Sequence, residues 1–430
     1  MLILLLSVVI GIPVLWAGGG SNRSASADGT KTLRFSWWGG DNRHILYGEI
    51  ADRFEEDNPG IKIEREPASW NDYFNRLSTQ VAANSAPDIM QMHPQFAAIY
   101  ASPDVFMSLD NPIPKGIIDV SHFSVPALDS QVVNRLNMMV SIGISTNGLL
   151  TNTTILKELG IDESRLKDLT YTSYEALLSE VAQKAQGRYW AAADCSVGLI
   201  GTQTPITMFF RSRGNDLFTR EGKVGFTKED LSAWLTYWQR LRQAGAVPTA
   251  QISAEEAAKT FEQGLFVAGR QAFIYDSCNR LRVNQDLMPN HQLIIVRSPT
   301  NNGRGGEIFE TANIGISAKT RYPTEAATFI NYFVNNPRSL ELYKGENGFP
   351  ASSVMSQYIR PLLGASDQMA AVYMDSVANS FGGQILPRIL APENSLDYVR
   401  LLQTESEAVA FGQKTIDRAV DDFFSAAGRL

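Results

Sequence analysis

The chain has 430 residues, 44% apolar and 19% charged, with 38 basic against 45 acidic side chains and a formal net charge of −7. That composition is ordinarily globular, and the length is enough for two domains or lobes. The acidic balance argues against nucleic acid as a partner.

Residues 1–15 form a nearly unbroken apolar run containing Gly11 and Pro13. The run is too short to span a bilayer comfortably and is interrupted where a membrane helix resists it, so residues 1–27 are expected to be a signal peptide. No Lys or Arg precedes the run. Two cleavage readings compete. Ala25-Ser26-Ala27 has the small-x-small pattern, whereas Leu15 to Ser21 resembles a lipoprotein box that lacks its cysteine, with Gly18 or Gly19 where the thiol would stand. Without that thiol no lipid is attached, and the protein is expected in the periplasm or at the cell surface. Removing 1–27 takes away Arg23 and no acidic residue, which makes the chain slightly more acidic.

Residues 21–31 are small and polar, as expected of a tether or stump. Residues 33–37 then read as a strand. Leu46, Tyr47, Ile50, Ala51 and Phe54 share one face of a helix that stops at Asp57-Asn58-Pro59-Gly60. Ile61 and Ile63 alternate as a second strand, and Tyr73, Phe74, Leu77 and Val81 mark a second amphipathic helix. Ala86-Pro87-Asp88 turns into a third strand over 89–92. The order β-α-β-α-β implies parallel strands joined by crossovers. Residues 138–150 are apolar and β-rich, and helical periodicity follows over 174–185, 231–244 and 254–262. Strands are expected over 269–276, 293–296 and 313–317, a helix over 324–334, and a terminal helical stripe of Val409, Ile416, Val420, Phe423 and Phe424. No internal repeat is present.

Only Cys195 and Cys278 are available for a disulfide. One bridge after export and two buried thiols both fit. His44, His93, His122 and His291 have no metal-ligand spacing, so neither a metal nor another cofactor is expected.

Six segments in order resemble the extracellular solute-binding proteins of sugar ABC importers. They are FSWWGGDNRH (35–44), FEEDNPGIKIE (54–64), WNDYFNRLSTQVAANSAPDIMQ (70–91), GRQAFIYDS (269–277), NIGISAKTRYPTEAATFINYF (313–333) and NGFPAS (347–352). The first looks closest to binders of oligosaccharides, including oligogalacturonides. The resemblance implies a two-lobed α/β periplasmic-binding-protein-like fold of type II, with the ligand cleft between lobes. Residues 28–145 with 277–345 would form one lobe and 146–276 with 346–430 the other, with crossovers near 141–147, 273–277 and 345–350. It further implies a monomer that delivers a carbohydrate to ABC permease subunits. The chain departs from the family in lacking the lipidated cysteine, and also the acidic residue and tryptophan often found just beyond the 90–95 segment.

A pyranose has hydroxyl edges and an apolar C–H face, so its site needs aromatic plates and polar groups that both donate and accept. Trp37 and Trp38 are candidate plates; strand alternation sends them to opposite faces, with Trp38 favoured for the sugar and Trp37 for the core. Asp41 is read either as a hydroxyl acceptor or as a helix N-cap, and Arg43 either as a solvated residue or as the partner of a uronate. His93 and Gln95 follow the third strand at its carboxyl end, where α/β folds bind ligands. Phe209 and Arg211 are placed on a second wall, with core packing and an Arg211–Asp216 pair as the alternatives. Tyr275, Asp276 and Ser277 end the return strand at a crossover, Asn313 begins a strand, and Phe349 sits beside Pro350 in the last crossover. Turn geometry or packing is the competing reading for each. No Gly-x-Ser-x-Gly elbow, phosphate loop, zinc helix motif or recognisable glycosidase carboxylate pair is present, so an enzyme is not expected. Peptide or polyamine binding, and a secreted glycan-active enzyme, stand as alternatives.

Overall fold

A computed structural model describes residues 29–100, 102–110, 116–133, 136–198, 205–380, 389 and 391–430. The leader reading over 1–27 lies outside the described residues. Among the described residues there are ten strands: β1 Lys31–Trp38, β2 Ile61–Ala68, β3 Ile89–Met92, β4 Val132–Val133, β5 Leu136–Asn137, β6 Val140–Asn152, β7 Trp190–Ala192, β8 Gln271–Ser277, β9 Leu293–Val296 and β10 Phe309–Ile316. The first helices are α1 Asp41–Asp57, α2 Trp70–Ala82, α3 Pro94–Tyr100 and α4 Val125–Gln131.

The opening β-α-β-α-β unit forms as its periodicity demands. β1 runs parallel to β2 and to β3, with Phe35 opposite Ile89 and Trp38 opposite Ala68. α1 buries Tyr47, Ile50, Ala51 and Phe54 against the sheet. It ends where Asn58 Nδ2 donates to the Phe54 carbonyl at 2.9 Å, and Gly60, at φ +93°, turns the chain into β2. A left-handed residue of this kind is the usual helix stop.

The main sheet has the order β2-β1-β3-β10-β6-β8-β7, with β9 also paired to β6. Its thirteen-residue β6 serves two groups of strands. Residues 140–146 pair antiparallel with β10, whereas 147–152 pair with β8 and β9. Val140, Ile142 and Ile144 join a core built on β1, α1 and the helix Pro323–Asn335; in the second half of β6 the side chains alternate, Leu150 facing that same core and Leu149 a second one. In that second core Trp234, Tyr237, Trp238 and Leu241 are buried along one face of the helix Lys228–Gln243. A third cluster, built on Trp38, Tyr73, Phe74 and Leu77, packs α2 on the sheet face opposite α1.

Several boundaries differ from the sequence reading. The helix expected to reach 262 ends at Ala257. The strand expected from 313 begins at Phe309, so Asn313 lies in mid-strand beside a register shift. Val409 belongs to the helix Ser395–Ala410, so the terminal stripe is shared between two packed helices. Residues Phe349 to Val377 contribute to the first core, and Ala391 to Ala427 to the second.

The three segments read as crossovers lie side by side. Ile144 and Phe349 exchange both backbone hydrogen bonds at 2.7 Å, and Asn147 pairs with Ser277. This approach requires glycine, since a Cβ on Gly143 would lie 2.4 Å from the Asn347 carbonyl. Cys195 and Cys278 are both free thiols, one partly buried beside the second core and one inside the first. Among the described residues no helix is long and apolar enough to cross a membrane.

Candidate functional site

β1, β2 and β3 are parallel, so their carboxyl ends share one edge of the sheet, and each sends the chain into a helix. From β1 come Trp38, Gly39 and Gly40 before α1; from β2 come Ala68 and Ser69 before α2; from β3 comes His93 before α3. Such an edge collects loops and helix N-termini and is where open α/β sheets bind ligands.

Trp37 and Trp38 enter opposite faces, as a two-residue repeat requires. Neither is an open plate. Trp37 is 1% exposed, its ring 4.8 Å from Phe35 and 5.6 Å from Tyr47. Trp38 is 6% exposed because α2 lays Trp70, Tyr73 and Phe74 against it at 5.3–5.6 Å. Its backbone N–H donates to the side-chain carbonyl of buried Gln91 at 3.2 Å.

Trp70, at the first position of α2, is 38% exposed. Its ring is edge-on to Phe74 at 4.9 Å, to His93 at 5.2 Å and to Trp38 at 5.3 Å, so these neighbours brace it while part of the residue stays open. Ser69 caps this helix: its Oγ accepts from the Asp72 N–H and donates to the Asp72 carboxylate at 2.6 Å. The sequence reading omitted Trp70 from the site. Its spacing to Tyr73, Phe74 and Leu77 is that of one apolar helix face, which marks it as core. Position in the first turn, at the sheet edge, leaves it exposed.

Asp41 is exposed at the first position of α1, and Gly40, not Asp41, is the N-cap. Arg43 is not a solvated residue. Its Nε–H donates to Glu346 Oε2 at 2.9 Å and its Nη1–H to the Trp38 carbonyl at 3.1 Å, with the two side chains 14% and 10% exposed. Burial alone would lower the Arg43 pKa; the Glu346 carboxylate outweighs it and holds the guanidinium above its ordinary value. A Cβ on Gly39 would meet the Arg43 stem at 2.7–2.9 Å, so glycine lets that stem fold back. His93 is partly buried against Trp70 and Trp38. Gln95 lies on α3, its side chain outside the described part.

Candidates from the second core are mostly internal. Phe209 is 5% exposed in the helix Pro205–Ser212, edge-on to Tyr171 at 4.8 Å and Trp234 at 5.3 Å. Arg211 is 2% exposed and paired with Asp216. Tyr275 is half-buried against the same core, and burial pushes its phenol well above the ordinary range. Asp276 is occupied in the turn it ends. It accepts from the Ser277 N–H at 2.8 Å and pairs with Arg280 at 3.2 Å, while Ser277 Oγ donates to Asn279 Oδ1 at 2.6 Å. Asn313 is wholly buried, accepting from Ser130 Oγ at 3.2 Å and donating to Thr311 Oγ1 at 3.3 Å. Phe349, 4% exposed, packs over Gly345 in the first core. The structure thus brings together Trp38, Asp41, Arg43 and His93 at one sheet edge; Phe209, Arg211, Asn313 and Phe349 are packed within cores or strands.

Among the described residues no group of three or more His, Cys, Asp or Glu is placed to hold a metal.

The fold and the ligand-type sheet edge are those of a solute-binding protein. The family model described as bacterial extracellular solute-binding protein matches residues 49–370, and the chain belongs to this family. Solved structures of the same fold include a periplasmic solute-binding protein from Pectobacterium atrosepticum (20% identity, TM-score 0.80). Others are a periplasmic oligogalacturonide-binding protein from Yersinia enterocolitica in complex with saturated digalacturonic acid (19%, 0.78) and an ABC substrate-binding protein from Listeria monocytogenes in complex with cycloalternan (19%, 0.78). Each alignment covers 93% of this chain and 98% of the other.

Proposed function

We propose that this protein is the exported binding component of an ABC sugar importer and captures an oligosaccharide between two lobes. The observation that carries this reading is Trp70, an aromatic residue left 38% exposed and braced by Phe74, Trp38 and His93 at the carboxyl edge of the parallel strands. Its open face suits the C–H face of a pyranose, and Asp41 and His93 supply polar groups at the same edge. Binders of digalacturonic acid and cycloalternan share the fold, which favours sugar over peptide or polyamine.

The two main cores support a division into lobes, with β6, β8 and the 345–350 segment as the connections. Packing favours assigning residues 349–377 to the first lobe. A ligand that touches both lobes stabilises the closed state by its differential affinity, and closure presents the loaded protein, as a monomer, to the permease. No bond is made or broken. Calorimetry of the mature protein against a panel of neutral and acidic oligosaccharides, peptides and polyamines tests the assignment. Micromolar or tighter binding of one oligosaccharide class, with the ligand recovered unchanged by chromatography, is expected. Failure of every sugar would overturn it, and turnover would replace it with a glycan-active enzyme.

A further inference from the structure

An open groove of about 370 Å³ runs beside the hairpin at 216–225, lined among others by Arg211, Asp216, Phe218, Arg220, Arg304 and Ile389. Its volume lies in the range of small-molecule sites. The charges in it are unevenly satisfied. Arg211 and Asp216 cancel one another, and Asp216 also accepts the Leu217 N–H at 2.7 Å. Arg220 and Arg304 are exposed, and among the described residues neither forms a salt bridge. Glu221, the adjacent acid, bonds to the Thr219 side chain, and the nearby charges of Lys223 and Arg220 help hold its carboxyl below the ordinary value. The Arg304 guanidinium lies across Gly214, where a Cβ would come within 2.7 Å of Nη1; Gly214 has φ +97°, so its backbone and its missing side chain both make room for the arginine.

We propose that this groove holds a carboxylate-bearing sugar unit, with Arg220 and Arg304 pairing to the carboxylate and half-buried Ile389 meeting the ring. A guanidinium presents a planar fork of N–H donors that matches a carboxylate in two parallel hydrogen bonds, and neutral hydroxyls do not repay its desolvation equally. Ile389 suits the C–H face of the same sugar, while Phe218 backs the groove from within the second core. Arg43, which the sequence offers for a uronate, and Arg211 are each committed to an internal carboxylate. This assignment rests on the oligosaccharide reading and specifies its substrate class as acidic.

Calorimetry of the full mature chain with digalacturonic acid and with its methyl ester, for wild type, Arg304→Gln and Arg220→Gln, tests it. The acid is expected to bind wild type roughly tenfold or more tightly than the ester, since the ester loses a charge-assisted pair. Each variant should lose roughly tenfold for the acid and less for the ester. Both substituted side chains are exposed, so circular dichroism and melting should match wild type. Equal affinity for acid and ester, no loss in the variants, or binding only of other neutral sugars would overturn the groove assignment and leave sugar capture standing. No binding of any sugar would overturn both.

Discussion

Arg43 and Glu346, 303 positions apart in the chain, form an ion pair at 2.9 Å with both side chains largely buried. The pair ties the β1–α1 loop, through the Trp38 carbonyl, to the segment whose backbone lies against β6. Glu346 is held on its other side too, since its carbonyl accepts from Asn279 Nδ2 at 2.9 Å.

Removing one partner leaves the other charge buried and uncompensated. Glu346→Gln is therefore expected to destabilise the protein by about 3 kcal/mol. Replacing both residues with Met is expected to cost less than either single change, and urea denaturation of the three variants checks this. Additive losses would mean that the two charges are not coupled.

Trp38 and Trp70 touch but should respond differently. Trp38→Ala empties a packed site and is expected to cost about 3–5 kcal/mol of stability. Trp70→Ala should cost less than half as much and weaken oligosaccharide binding by roughly tenfold or more. Thermal melts paired with calorimetry separate the effects; a stable Trp38→Ala protein that had lost binding would reverse the assignment.

Asp230, the third residue of the helix Lys228–Gln243, forms a capping box with the N-cap Thr227 and accepts from Arg213 at 2.6 Å, Asn215 at 2.6 Å and the Thr227 N–H at 3.0 Å. Burial alone would raise its carboxyl, but these donors outweigh it and hold the pKa below the ordinary value. A depressed folded pKa contributes stability above the unfolded value of about 3.9, lost as pH falls through the folded one. Asp230→Asn should therefore be less stable than wild type at pH 7, with the gap narrowing below about pH 4. Denaturation curves at pH 7 and pH 3 give the comparison.

Burial pushes the Cys278 thiol up to about 12 and Cys195 well above its ordinary value. Both are expected to react slowly with a thiol reagent in the native protein, and two thiols should titrate on denaturation without reductant. Fewer than two would indicate a bridge.

Local order was legible because it is local. The β-α-β-α-β start, the buried face of Trp234, Tyr237, Trp238 and Leu241, and the opposite facing of Trp37 and Trp38 all follow from repeats of two or 3.6 residues. So does the family, through short segments in a constant order. Exposure and partnership were not, because they depend on what other elements deliver. Trp38 is covered by α2, Arg43 is claimed by a glutamate from the far end of the chain, and Arg211 is neutralised by Asp216. By itself the sequence determined which faces must be buried. Only the tertiary structure decided that Trp70 stays open at the sheet edge and that Arg220 and Arg304 border the groove, because solvent exposure is set by packing between elements distant in sequence.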